Sequence, residues 1–234
     1  MNDTAQLLET VEHETGPAPA WTVLWLHGLG ADGHDFAPIV PELVRREWPA
    51  LRFVFPHAPV RPVTINNGMS MRAWYDIVSL DAGRMADRAD EGGVNQSVAQ
   101  VEALIAREVE RGVAPERIVL AGFSQGGAVA LAAALRRDQP LAGLVALSTY
   151  LPLSTAALAE LDASVPGAAR KQPVFMAHGQ FDPVVPFAAG EASAARLRAL
   201  GFTLEWHAYP MAHQVCAEQI RDLGDWLAAR FAKG

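Results

Sequence analysis

A series of short, largely apolar runs, alternating with helical patterns, constrains this chain more than any other feature. The runs read WTVLWLHG from Trp21, LRFVFP from Leu51, RIVLAG from Arg117, LAGLVALS from Leu141, PVFMAHG from Pro173 and TLEWHAYP from Thr203. A half-buried strand alternates apolar with polar residues. Most of these runs do not, so they read as strands covered on both faces, the signature of a parallel sheet. Between them lie FAPIVPELVRREW, with Pro38 near its start, and NQSVAQVEALIAREVERG, with Val98, Val101, Ile105 and Val109 at helical spacing and Leu104 beside them. GGAVALAAALRR and PFAAGEASAARLRALG follow, and a last helix spans residues 214 to 231 with Cys216, Ile220, Leu223, Leu227 and Phe231 as its buried stripe. Strict strand–helix alternation specifies an α/β fold: a mostly parallel sheet with helices on both faces. The polar residues 1–20, ending in GPAPA, read as an arm or an edge strand, and 21–234 as one domain. Residues 57–93 and 150–170 show no regular pattern, with at most a short helix near TAALAEL, and segments that long usually serve function.

Bulk properties exclude several classes. With 234 residues, half of them apolar, the chain can bury a sizeable core. A net charge of -7 and the lack of any Lys/Arg cluster interleaved with aromatics argue against nucleic acid. The single cysteine, Cys216, allows no internal disulfide and no zinc spacing, which fits a reducing compartment. The first residues lack a basic and then apolar leader, and no run reaches the roughly 18 apolar residues of a membrane span. A cytoplasmic protein with no transmembrane segment is expected.

The strand RIVLAG ends at an abrupt join, Gly122-Phe123-Ser124-Gln125-Gly126, and a helix begins at once. Two readings are open for Ser124. It is the N-cap of an ordinary strand-to-helix turn, or it is a nucleophile held at the tip of a sharp one, where flanking glycines avoid Cβ clashes and the first helix amides favour developing negative charge. The buried strand before it and the small-residue helix after it favour the nucleophile.

A serine nucleophile needs a base, and the base needs a group to orient it. Two later strands end in candidates: Asp182 in HGQFDPVVP and His213 in YPMAHQVC. The plain alternatives are an Asx-turn before Pro183 and a helix-start histidine. The chain order Ser124, Asp182, His213, with each residue at the carboxyl end of a strand, favours catalysis. Asp162 lies in an ill-defined loop, His207 inside a strand, His178 in a turn, and His27 in a glycine-rich turn that it shapes; Cys216 is expected to be buried and inert. The oxyanion donors are expected to be the N–H groups of Gln125 and of Leu29 in HGLGADG, whose glycines let the loop approach the serine. That loop lacks the Lys-Ser/Thr of a phosphate-binding motif and does not match G-x-G-x-x-G. Trp74, Leu151, Leu153 and Val184 are expected to line an acyl groove with Leu29, or else to pin loops to the core.

The stretches LHGLGADGHDF, FPHAPVRPVTINNGMSMRAWYD, GFSQGGAVAL, HGQFDPVVP and YPMAHQV together resemble the carboxylesterase/phospholipase family of α/β-hydrolases, which includes acyl-protein thioesterases. The resemblance runs from about residue 21 to the last helix. It implies an α/β-hydrolase fold with a minimal cap, Ser124 as nucleophile, Asp182 as orienting acid, His213 as base, Leu29 and Gln125 as oxyanion donors, and Trp74, Tyr75 and Asp76 shaping the site. It implies a serine carboxylesterase acting on short- to medium-chain esters without metal or organic cofactor. Acyl-protein thioesterase, lysophospholipase and a non-catalytic binding protein of the same fold are the alternatives. Its substrate would be a small or lipid-like acyl ester, or an acylated protein; several members form homodimers. One departure is Ala212, where the family usually has glycine.

Overall fold

A computed structural model describes residues 7–79, 90–154, 157, 167 and 169–232. The strands are β1 Thr10–Glu14, β2 Trp21–Leu26, β3 Leu51–Pro56, β4 Val60–Val63, β5 Met69–Arg72, β6 Ile118–Phe123, β7 Gly143–Leu147, β8 Val174–Gly179 and β9 Leu204–Tyr209. The helices are α1 Val40–Leu43, α2 Glu91–Glu110, α3 Gln125–Ala134, α4 Phe187–Ala199 and α5 Ala217–Phe231. Seven strands form one sheet in the order β1-β3-β2-β6-β7-β8-β9, while β4 and β5 form a separate hairpin. Only β1 runs antiparallel in the large sheet, with Thr10 opposite Pro56 and Glu14 opposite Arg52. The polar N-terminal stretch thus supplies an edge strand, one of the two readings open for it.

The two faces of the sheet follow residue parity. Leu24, Leu26, Leu120, Ala146 and Met176 face α2, α3 and α4. Val23, Trp25, Ala121, Leu147 and Phe175 face α5 and the Ile39–Leu43 turn. Helix α3 is buried along its whole length, so alanine and glycine around its circumference let it lie close against the sheet. In α2 the buried stripe is Val94, Val98, Val101, Leu104 and Ile105; Val109, expected on that stripe, is exposed. On α5, Leu223, Leu227 and Phe231 are buried as expected, whereas Ile220 is half-buried and Cys216 stands before the helix as its N-cap, also half-buried.

Two segments depart from expectation. FAPIVPELVRREW forms only a 3-10 turn, Ala37–Ile39, and the single turn α1. Pro38 and Pro41 remove backbone donors that a longer helix would need, although Phe36, Ile39, Val40 and Leu43 still reach the core. Residues 57–79 contain the β4–β5 hairpin, turned by Asn67 (φ 55°) and Gly68 (φ 74°) in the left-handed region. The helix expected near TAALAEL lies almost entirely outside the described residues, as do Asp162 and most of the charged stretch 79–93. Asp90 is described: it caps α2 by accepting from the Gly93 N–H at 2.9 Å.

At the amino ends of the strands, Glu108 of α2 is fully buried and accepts from Thr22 Oγ1 and Arg52 Nη1, each at 2.9 Å. Arg107 and Arg111 reach its other oxygen, and Arg52 also pairs with Glu14 at 2.9 Å. Burial would raise the Glu108 carboxyl, but the hydrogen bonds from Arg52 and Thr22 and the charges of Arg111 and Arg107 hold it below the usual range. This network ties β1, β2, β3 and α2 together at the edge opposite the candidate site.

Candidate active site

The connection from β2 leads to β3 on one side, and that from β6 leads to β7 on the other. The strand order therefore reverses between β2 and β6, and a crevice is expected at their carboxyl ends. Ser124 and the loop after Leu26 both lie there. Ser124 adopts φ 54° and ψ −121°, a conformation that L-residues rarely hold. Its surroundings lock it: its N–H donates to Leu147 O at 2.9 Å, and its carbonyl accepts from Thr149 Oγ1 at 2.6 Å. The glycines are required by contact. An added Cβ at Gly122 would collide with the Gly126 backbone, and one at Gly126 with the carbonyls of Leu26 and His27. Ser124 is the N-cap of α3, yet its side chain makes no capping hydrogen bond. Its Oγ lies 2.9 Å from His213 Nε2 instead.

His213 Nδ1 is 2.7 Å from Asp182 Oδ2. The carboxylate can only accept, so Nδ1 carries the proton and Nε2 offers its lone pair to the serine hydroxyl. The other oxygen, Asp182 Oδ1, accepts from the Val184 and Val185 N–H groups at 2.8 and 2.9 Å. Asp182 therefore makes the Asx-turn and orients the histidine at once, one oxygen for each. Burial alone would raise its carboxyl; hydrogen bonds from His178, His213, Val185 and Val184 outweigh that and hold it well below the carboxylate range. His178, expected in a turn, lies inside β8 and is a further partner of Asp182. It is fully buried, donates from Nε2 to Val185 O at 2.9 Å, and holds the same nitrogen 3.4 Å from Asp182 Oδ2. Its position four residues before Asp182 was the available signal. His207 lies in β9, half-buried and stacked on Phe175, away from this relay.

The β2 loop carries the second expected donor. Gly28 sits so close to Ser124 that an added Cβ would be 3.4 Å from the serine Cβ. Gly30 (φ 78°) turns the loop and donates to Arg72 O at 2.9 Å. His27 shapes this turn as expected: Nδ1 donates to Gly28 O at 2.7 Å, and Nε2 accepts from the Ala58 N–H at 3.1 Å. Burial lowers its pKa to about 4, so it stays neutral at pH 7, and the bond to Gly28 O and the charge of Asp32 only partly offset this. Within the described residues neither the Leu29 nor the Gln125 N–H meets an acceptor, so both remain available.

Gln125 does more than lend an amide. Its buried side chain accepts from the Trp74 N–H at 2.9 Å through Oε1 and donates to Tyr75 O at 2.7 Å through Nε2. The Trp74 indole N–H in turn donates to His27 O at 2.9 Å. This brace fastens residues 74–75 to both the serine turn and the β2 loop. It also corrects the role expected of Trp74, which has no accessible surface and cannot form a groove wall in this conformation. Leu151 and Leu153 likewise sit in the main core, 2% and 3% exposed, and pin the loop after β7 rather than face a ligand. Val184 is exposed and Leu29 half-buried, both near the relay. Tyr75 is buried with its hydroxyl 2.8 Å from that of Tyr150, and Asp76 accepts from the Thr64 N–H at 2.7 Å, holding the hairpin. Ala212 is exposed and outside the left-handed region, so its methyl costs the histidine loop nothing. A cavity of about 360 Å³ opens beside His213, between that loop and residues 35–42. None of the four residues expected to bind substrate lines it.

Among the described residues no cluster of three or more His, Cys, Asp or Glu is placed to hold a metal ion, and no helix is long and apolar enough to cross a membrane. The arrangement can deprotonate a serine hydroxyl and offer two backbone donors beside it. Residues 8–230 match the family model described as Phospholipase/Carboxylesterase. Acyl-protein thioesterase 1 of Neurospora crassa is 41% identical over 216 residues, covering 91% of this chain and 87% of that protein. The crystal structure of Arabidopsis thaliana SOBER1 superposes with a TM-score of 0.82 at 33% identity, covering 90% of this chain and 98% of that one. Acyl-protein thioesterase 2 of Zea mays superposes with a TM-score of 0.77 at 26% identity, covering 94% and 99%. With an α/β-hydrolase sheet, a strained serine at its switch point and a match over nearly its whole length, the chain belongs to the phospholipase/carboxylesterase family.

Proposed function

We propose that this chain is a serine carboxylesterase that hydrolyses short- to medium-chain carboxylic esters through an acyl-enzyme on Ser124. The observation that carries the reading is the unbroken hydrogen-bonded relay from Ser124 Oγ through His213 to Asp182, at 2.9 and 2.7 Å. His213 Nε2 takes the hydroxyl proton as Oγ bonds to the ester carbonyl carbon. Asp182, held ionised, fixes the tautomer and stabilises the imidazolium. The Leu29 and Gln125 N–H groups, with the positive end of α3, stabilise the tetrahedral oxyanion. His213 then gives its proton to the leaving oxygen as the carbonyl–oxygen bond breaks. Water, deprotonated by the same histidine, releases the acid and restores the serine.

A thioesterase reading shares every step, with sulfur as the leaving atom, and the names of the relatives favour it. The family description names phospholipase beside carboxylesterase, and a lysophospholipid probes that reading. A panel of p-nitrophenyl esters from acetate to dodecanoate, an S-acylated peptide and a lysophospholipid, compared by kcat/KM, separates these. The carboxylesterase reading predicts the highest value on a C4–C8 ester. A thioester or lysophospholipid that exceeds all the esters replaces it with the corresponding alternative, and no turnover of any leaves a binding protein.

A further inference from the structure

We propose that the cavity beside His213 receives the leaving group, and that it selects alcohols or thiols carrying a positive charge on a short apolar stem. The inference rests on the hydrolase reading above. In that chemistry the oxyanion points toward the Leu29 and Gln125 amides, on the β2 side of Ser124. The leaving atom must receive its proton from His213 Nε2, so the leaving group departs on the histidine side. The 360 Å³ cavity has His213 and Phe123, the residue before Ser124, in its wall, and falls within the roughly 300–1,000 Å³ of small-molecule sites.

Its lining specifies the occupant. Phe36, Ile39, Phe123, Val215 and Ile220 make an apolar floor. Phe123 also packs its ring 4.8 Å from that of His213, so the floor runs up to the proton donor. Asp35 and Glu42 stand in the wall, and no lysine or arginine lines the cavity. Among the described residues neither carboxylate has an ion-pair partner. Glu218, in the first turn of α5, adds a third acid at the same end of the molecule. Burial, and then the charge of Asp32, push the Asp35 carboxyl up; Asp35 and Glu42 are both exposed, so their pull on a cation in the cavity is screened by solvent and modest. A neutral leaving group would fill the floor without gaining the attraction of either carboxylate.

Two esters of one acid and one shape isolate the charge: butyrylcholine and 3,3-dimethylbutyl butyrate, whose leaving groups differ by a quaternary nitrogen in place of a quaternary carbon. The expected result is a preference for the cationic ester of roughly 3- to 10-fold in kcat/KM at low salt, shrinking as ionic strength rises. The double substitution Asp35→Asn, Glu42→Gln is expected to bring the ratio to about one, and because both esters are read on the same protein, a partly folded variant cannot mimic that change. Equal rates on the two esters, a preference for the neutral one, or a cationic preference that survives the double substitution would overturn the proposal while leaving the esterase reading intact. Failure of the unsubstituted protein to hydrolyse either ester or p-nitrophenyl butyrate would overturn the esterase reading, and this inference with it.

Discussion

Changing Gln125 to leucine keeps the backbone N–H proposed for the oxyanion and removes the clamp beneath it. Two hydrogen bonds vanish, at 2.9 Å to the Trp74 N–H and 2.7 Å to Tyr75 O. Trp74 and Tyr75 are 0% and 1% exposed, so water cannot replace the lost partners without opening the core. A buried backbone group left unpaired costs about 1–3 kcal/mol, so the pair costs about 2–6 kcal/mol. For a chain of this length each kcal/mol moves the melting temperature by about 2–4 °C, and the drop should be on the order of 10 °C. Urea unfolding followed by tryptophan fluorescence gives the free energy, with an unchanged m-value showing that the unfolding transition itself is preserved. The Trp74 indole also holds His27 O in the β2 loop, so kcat on a butyrate ester should fall about ten- to a hundred-fold in the protein that remains folded. A stability loss below about 1 kcal/mol with unchanged kcat would show that the brace neither supports the core nor positions the loop.

Two further outcomes follow from groups outside the relay. Because burial lowers the His27 pKa from 6.5 to about 4, the folded protein binds that proton less readily than the unfolded chain. The contribution is complete above about pH 6.5 and is lost as pH falls toward 4, to a total of about 3 kcal/mol; the stability difference between the parent and His27→Gln should shrink by that amount between pH 7 and 4, and a pH-independent difference would refute it. Glu108→Ala strips the central carboxylate from Arg52, Arg107, Arg111 and Thr22 and should cost about 3 kcal/mol in denaturant unfolding, whereas a loss under 1 kcal/mol would mean that the buried network is energetically idle.

What could be read in advance followed from how local the cause was. Gly122 and Gly126 betray the serine turn because close backbone approach forbids any side chain there, and such a demand is written into five consecutive residues. Asp182 was legible because it follows the apolar run PVFMAHG, and His213 because it follows the strand TLEWHAYP, where Glu205 and His207 alternate with Leu204, Trp206 and Ala208. The Gln125 clamp was hidden, since its partners lie 51 and 50 residues upstream in a segment without periodicity. The hairpin in that segment was masked by Pro59 and Pro62, although Asn67-Gly68 marked its turn. His178 read as a turn residue, and its approach to Asp182 exists only because the loop after β8 folds back on itself. Trp74, Leu151 and Leu153 carry two readings in the sequence, groove wall or loop anchor, because large apolar residues in loops serve either purpose, and burial alone separates the two. The cavity beside His213 joins residues 35–42 to residues 213–220, a meeting set by how α5 and the proline-shortened α1 pack on one face.

The most direct test of the central claim is intact-protein mass spectrometry after exposure to a fluorophosphonate. A single adduct should form on the unsubstituted protein, map to the peptide containing Ser124, be absent from Ser124→Ala, and form far more slowly in His213→Ala, where Ser124 loses the acceptor 2.9 Å away. An adduct retained in full by Ser124→Ala, or an unchanged labelling rate without His213, would contradict the assignment of Ser124 as the nucleophile that His213 activates.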